Sequence, residues 1–286
     1  MSAVVSGRVE RWWSAPGKVV RNVSVASRLA LVVVLVALVS VVVTSIVGLD
    51  RGRRLAGDEI DKQLTAVGAS RADEVERYVA GLERAVGGQA LTPRPAVAIE
   101  AFSARFRELA DGTATSRNEA LVDEYYRDVV APELSEARGR PVNPAGLIPI
   151  SAAGVTLQAQ YVVPVADGGP ARPGDADWSA LHDSLDDSFR EFALQAGFED
   201  FYLIEPIAHV VVYSTAKDID FATSLRGGPH SGSQLASLTY ELADDPAPGD
   251  VAIRDFAAYA PAGDRPSAFI GAPVFADGDL AGFVVG

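Results

Sequence analysis

The stretch Phe201–Ser214, FYLIEPIAHVVVYS, sets two runs of aromatic and β-branched residues either side of a short turn. Side chains of this kind fit a pleated, half-buried surface, and proline cannot donate to a strand ladder, so Pro206-Ile207-Ala208 reads as the turn of a hairpin. Strands are expected over Phe201–Glu205 and His209–Ser214. Three more follow downstream, Val251–Ala260, Ser267–Phe275 and Leu280–Val285. They are separated by the turn-rich segments Pro261–Pro266 and Ala276-Asp277-Gly278-Asp279. Between the two groups lie the loop Thr215–Gly232 and a helix, Ser233–Ala243, with Ser233 as N-cap.

Ahead of the hairpin, Leu181, Leu185, Phe189, Phe192 and Ala196 fall on one face of a helix that Gly197 stops. The order of patterns predicts an α+β fold, with a C-terminal five-stranded antiparallel sheet and helices to one side. Further back, Ala166–Asp177 is Gly, Pro and Asp almost throughout and reads as a linker, and Val155–Val165 alternates enough to suggest a short strand. Helical patterns cover Val97–Leu109 and Glu119–Arg138, set off by Pro93 and Pro95 and interrupted by Pro132.

Near the N-terminus, Leu29–Leu49 is an uncharged apolar run, LALVVVLVALVSVVVTSIVGL. At roughly 1.5 Å per residue it extends about 31 Å, enough to cross a hydrocarbon core. Valine is a mediocre helix former in water, but in lipid a helix satisfies every backbone polar group of a single segment. The run is longer than a signal-peptide core and lacks a small-x-small site before Asp50, which predicts an uncleaved anchor. The basic residues before it (Arg11, Lys18, Arg21, Arg28) nearly match those after it (Arg51, Arg53, Arg54, Lys62), and the short leading tail favours an internal N-terminus. Trp12 and Trp13 suit either the headgroup level or a tail.

After the anchor, Ile60, Leu64, Val67, Val75, Tyr78, Leu82 and Val86 are spaced by threes and fours with a gap at Arg71. This predicts a long helix with a narrow apolar stripe, suited to packing on its own domain or on a second copy of the chain. The expected organisation is a cytoplasmic tail (1–28), a transmembrane helix (29–49), a long juxtamembrane helix (50–92), a helical and mixed subdomain with linker (93–177) and the sheet domain (178–286).

A net charge of −13 excludes the basic footprint that nucleic acid requires. Without cysteine there is no disulfide, thiolate zinc site or thiol nucleophile. No GxxxxGK, HExxH, GxSxG or post-strand GxGxxG occurs, so no enzyme activity and no cofactor are expected of this chain. Gly227–Gly232 has the wrong order for a phosphate cradle and reads as a turn.

Polar residues on or beside the expected sheet are the ligand candidates. His182 and Asp186 share a helix face, though two donors do not make a metal site. Lys217 is one of only three lysines, the others being Lys18 and Lys62, and sits beside Asp218 and Asp220. Tyr202, Tyr213, Phe221 and Tyr259 are the candidate walls. The candidate ligand-binding set is therefore Tyr202, Tyr213, Lys217, Asp218, Asp220, Tyr259 and His182, with no metal.

The segments Gly197–Ile204, Val211–Ser214 and Lys217–Leu225, followed by Asp255–Pro261 and Pro266–Phe275, resemble the extracytoplasmic Cache (PAS-like) sensor regions of bacterial membrane receptors. The likeness is strongest over Trp178–Gly286 and fainter around Leu157–Tyr161. The resemblance implies a small-molecule-sensing input region in the cell membrane with its C-terminal domain outside. Such regions are wired to an adenylate or guanylate cyclase, a chemotaxis module or a histidine kinase. Leu280–Gly286 reads as an inner strand without a polar terminus, so the chain is expected to be a fragment whose output module lies elsewhere. An anchored scaffold that binds another protein is the alternative.

Overall fold

The computed structural model describes residues 25–166 and 174–286. Residues 1–24 of the expected tail, with Trp12 and Trp13, and most of the expected linker therefore lie outside the described residues, while residues 25–28 belong to the first helix. Seven α-helices are described: α1 (Val25–Ala90), α2 (Pro93–Ala110), α3 (Ser116–Tyr125), α4 (Ala131–Arg138), α5 (Ala152–Ala166), α6 (Ala176–Ala196) and α7 (Gln234–Ala243). The strands are β1 (Tyr202–Ile204), β2 (Val211–Ser214), β3 (Ala252–Tyr259), β4 (Arg265–Ala276) and β5 (Asp279–Val285). Two compact units divide the chain at Asp73/Glu74.

In the first unit, Leu29–Gly48 has a mean hydropathy of 3.1 and none of its side chains is buried, so it is long and apolar enough to span a membrane. Ser40 and Thr44 return their hydroxyls to the carbonyls four residues back, at 2.9 and 2.8 Å, which keeps both polar groups satisfied inside an apolar segment. Of the α1 stripe, the side chains of Ile60 and Leu64 lie outside the described residues, and Val67 is exposed.

In the second unit the strands form one antiparallel sheet in the order β2-β1-β5-β4-β3. A bulge in the β1–β2 pair pairs Leu203 with Tyr213 and Ile204 with Val211, so Val212 and Tyr213 both turn to the same face. That face carries the larger core: Leu203, Val212, Tyr213, Ile270, Ala272 and Val284 pack with residues of α2, α5 and α6 and with Val86 of α1. The other face buries Tyr202, Ile204, Val211, Phe283 and Val285 beneath Leu235, Leu238 and Leu242 of α7. Helices thus cover both faces rather than one, because α7 is itself amphipathic and the sheet is apolar on both sides.

One further expectation is corrected. Val155–Val165 is helix, part of α5, whose residues are buried on nearly every side; its Val content and the alternation Leu157-Gln158-Ala159-Gln160-Tyr161 mimic a strand when read linearly. Pro93 and Pro95 set α2 off from α1, which ends at Ala90, and they sit in the first turn of α2, where a missing N–H costs nothing. The pattern over Glu119–Arg138 is divided by a π-helical stretch, Tyr126–Val130: Pro132 cannot donate to the carbonyl four residues back, and the helix widens just ahead of it. The caps follow expectation, with Ser233 Oγ accepting from Ala236 N at 3.1 Å and Gly197 closing α6 at φ 81°.

Candidate functional site

The loop leaving β2 is fixed at its root by Asp200. Its carboxylate accepts from the amides of Phe201, Thr215 and Ala216 at 2.7, 2.8 and 2.9 Å and from the hydroxyls of Ser214 and Thr215, both at 2.7 Å. Just beyond, Lys217 adopts a left-handed backbone with φ 62°, and Ala222 does so with φ 60°. Neither residue has glycine's freedom there, so each position stores of order 1–3 kcal/mol of strain.

That conformation turns the Lys217 side chain inward, where it is 3% exposed. Its Nζ donates to the carbonyl of Ser214, lies 4.1 Å from the centre of the Tyr213 ring and 5.5 Å from that of Phe221, and is 3.7 Å from Asp186 Oδ1. Burial pushes the Lys217 amine down to about 8, against the pull of Asp186 and Asp200. Asp186 also accepts from the Tyr213 hydroxyl at 2.7 Å and from Arg190 Nε at 2.5 Å. Burial alone would raise its carboxyl, but His182, Lys217, Arg190 and Tyr213 together hold it well below the usual carboxylate range. His182 Nε2 lies 3.1 Å from Asp186 Oδ1 yet out of line for a hydrogen bond, so the contact is one of proximity rather than a formed bond.

Aromatic rings enclose this pair. Tyr161 stacks on His182 at 4.9 Å, Phe102 on Trp178 at 5.0 Å, and Phe189 on Tyr213 at 5.3 Å. The indole Nε1 of Trp178 is fully buried without a hydrogen-bond partner. A buried ammonium, a carboxylate and an idle indole donor within apolar walls can exchange partners with a small polar ligand.

The seven candidates fall in three places. His182, Tyr213 and Lys217 meet at Asp186 on the α6 side of the sheet. Tyr202, Tyr259 and Asp220 meet on the α7 side, where the Tyr259 hydroxyl donates to Asp220 Oδ2 at 2.5 Å and Oδ1 has no partner. Asp218 faces neither group; it lines a cavity of about 250 Å³ with Tyr125, Glu133, Gly263 and Arg265, and burial pushes its carboxyl up to about 6. The four aromatics expected to wall one pocket are thus divided, Tyr213 and Phe221 from Tyr202 and Tyr259. Successive residues of a short loop cannot all face one way, and the sheet stands between them.

The His182–Asp186 pair is the part of this cluster that the sequence singles out; Trp178 and Arg190 are not, although with that pair they recur every four residues along α6, a spacing legible in the sequence. Tyr161 carried no signal, because α5 reads as a strand. Among the described residues no group of three or more His, Cys, Asp or Glu side chains is arranged to hold a metal ion. No protein-family model matches this chain, and no curated protein or solved structure matches it either.

Proposed function

We propose that this chain is the extracytoplasmic ligand-sensing input region of a membrane-anchored, Cache-like receptor, with a small molecule bound at the Lys217–Asp186 cluster and an output module, such as a nucleotide cyclase, acting downstream. The observation that carries the reading is Lys217. An ammonium buried on a strained backbone, shared between a ring face and one carboxylate, costs stability that an apolar residue of the same length would not. Strain and displaced titration at one residue are features of functional sites.

The test uses the full chain in lipid nanodiscs and thermal shifts with a panel of amino acids, carboxylates and amines. One class stabilises the wild-type protein, and Lys217→Met and Asp186→Asn abolish the shift while remaining folded. A shift that survives both substitutions refutes the site; no shift with any compound refutes the sensing reading.

The second reading, an anchored scaffold, rests on exposed apolar groups. Val67, Val75 and Tyr78 of α1 are uncovered and suit a second copy of the chain. On the edge strand β3, Ile253 and Phe256 are 41% and 71% exposed. Absence of any ligand shift together with capture of a defined protein partner favours this reading.

A further inference from the structure

Asp220 is fully buried with one idle oxygen. Its Oδ2 receives the hydroxyl of Tyr259 at 2.5 Å, while Oδ1 meets no donor. As a carboxylate, that oxygen would hold charge in an apolar setting with nothing to stabilise it, a cost of several kcal/mol. Burial and the nearby carboxyls of Asp200 and Asp218 make ionisation harder, while the hydroxyls of Tyr259 from β3 and Tyr202 from β1 ease it without outweighing them; Tyr126 from the π-helical stretch faces Asp220 as a neutral phenol. Lys217, three residues away, is engaged with Asp186 on the opposite face of the sheet.

The backbone around Asp220 is held from the helical side. Gln158 Nε2 donates to the carbonyls of Ile219 and Phe221 at 2.9 and 2.8 Å, and His230 Nε2 lies 3.2 Å from the carbonyl of Ile219. Gln158 is itself oriented by the Tyr126 hydroxyl at 2.7 Å. These bonds, and those of Ala222 N and Thr223 O with Val211, draw the segment against β2 and force the Asp220 carboxyl under the sheet. One short loop therefore places Lys217 on one face and Asp220 on the other, and neither can leave its position without the backbone between them moving.

We propose that Asp220 is a proton-operated latch on the candidate site: its neutral acid closes the loop Lys217–Thr223 onto Tyr259, and loss of that proton to solvent releases the loop and withdraws Lys217 from Asp186. Burial and the two neighbouring carboxyls hold the Asp220 acid well above the usual carboxylate range, which is the direction a latch closed at neutral pH requires. This regulation rests on the sensing reading, but its test does not use a ligand.

Hydrogen exchange of the full chain in nanodiscs, corrected for intrinsic rates, is measured across the loop from about pH 5 to about pH 8. Opening that releases one proton predicts that loop protection falls by up to about tenfold per pH unit until the closed-state acid itself ionises. Protection in Asp220→Asn, which is neutral at every pH, stays flat. In parallel, infrared spectra of the wild-type protein show the carbonyl stretch of a buried carboxylic acid that disappears as the loop opens, a readout that stands even if Asp220→Asn does not fold. Flat protection in the wild type, an unchanged fall in a folded Asp220→Asn, or no buried-acid band at low pH overturns the latch. A loop that opens with pH in a chain that binds no compound sustains the latch and refutes only the sensing reading.

Discussion

Lys217 shows how one buried charge sets both a cost and a pH dependence. Its amine titrates at the ordinary 10.5 in the unfolded chain and at about 8 in the folded one, a difference worth roughly 3 kcal/mol. The folded protein thus binds the proton more weakly than the unfolded chain does. The stability this site contributes is present above the unfolded value and is lost as pH falls through the folded one. Lys217→Met keeps the stem over Tyr213 and removes the charge, while Asp186 retains Tyr213 and Arg190. Because the cation–π and ion-pair contacts are also lost, the net gain at pH 7 is expected to be about 1–2 kcal/mol. Urea unfolding followed by the fluorescence of buried Trp178 measures it, and the difference from wild type shrinks toward pH 10. A Lys217→Met protein less stable than wild type at pH 7 would make this lysine a structural cation.

At the scale of elements, the β4–β5–β1 contact depends on the absence of a side chain at Gly282. Its φ is 152°, and a Cβ there would lie 2.3 Å from the carbonyl oxygen of Ile204 and 3.0 Å from Ile99 Cγ2. The obstructing atom is backbone in the neighbouring strand, so it cannot rotate away. Gly282→Ala is expected to cost about 3 kcal/mol, whereas Gly232→Ala, with no atom within 4 Å and no positive φ, falls within about 0.5 kcal/mol of wild type. Thermal unfolding of the two variants side by side checks the contrast; equal effects would mean that β1 and β5 are less closely paired. The same region shows what a linear reading can reach. Each of the five strands was legible to within a few residues, because Gly, Pro and Asp turns punctuate alternating apolar runs. The α5 helix was not, since Leu157, Gln158, Ala159, Gln160 and Tyr161 are all buried and a segment packed on every side has no polar face to report its period. Gln158, which holds the Asp220 loop, was hidden for the same reason. The site was legible as residue types but not as a place: Lys217, Asp218 and Asp220 are adjacent in sequence and face three environments, a division made by backbone conformation that only the tertiary packing imposes.

For the whole molecule, the decisive question is which compartment each part of the chain meets. Leu29–Gly48 is long and apolar enough to cross a bilayer, yet the near balance of basic residues around it leaves the positive-inside count almost tied. We predict an internal N-terminus, because the leading tail is short and a long following domain translocates largely regardless of its charge. The absence of cysteine makes the arrangement directly measurable, since any thiol introduced is the sole one in the chain. Ser14→Cys reports on the leading tail, and Ser184→Cys reports on an exposed position of α6. In intact cells a membrane-impermeant maleimide is expected to label the Ser184→Cys protein and to leave the Ser14→Cys protein unlabelled until the membrane is opened by detergent. Both variants should remain with the membrane through alkaline extraction, because a bare apolar helix of this length has no soluble alternative. The reverse labelling pattern would place the Lys217 cluster in the cytoplasm, where an extracellular ligand could not reach it. Labelling of both variants in intact cells, with release on extraction, would mean that Leu29–Gly48 does not reside in the bilayer.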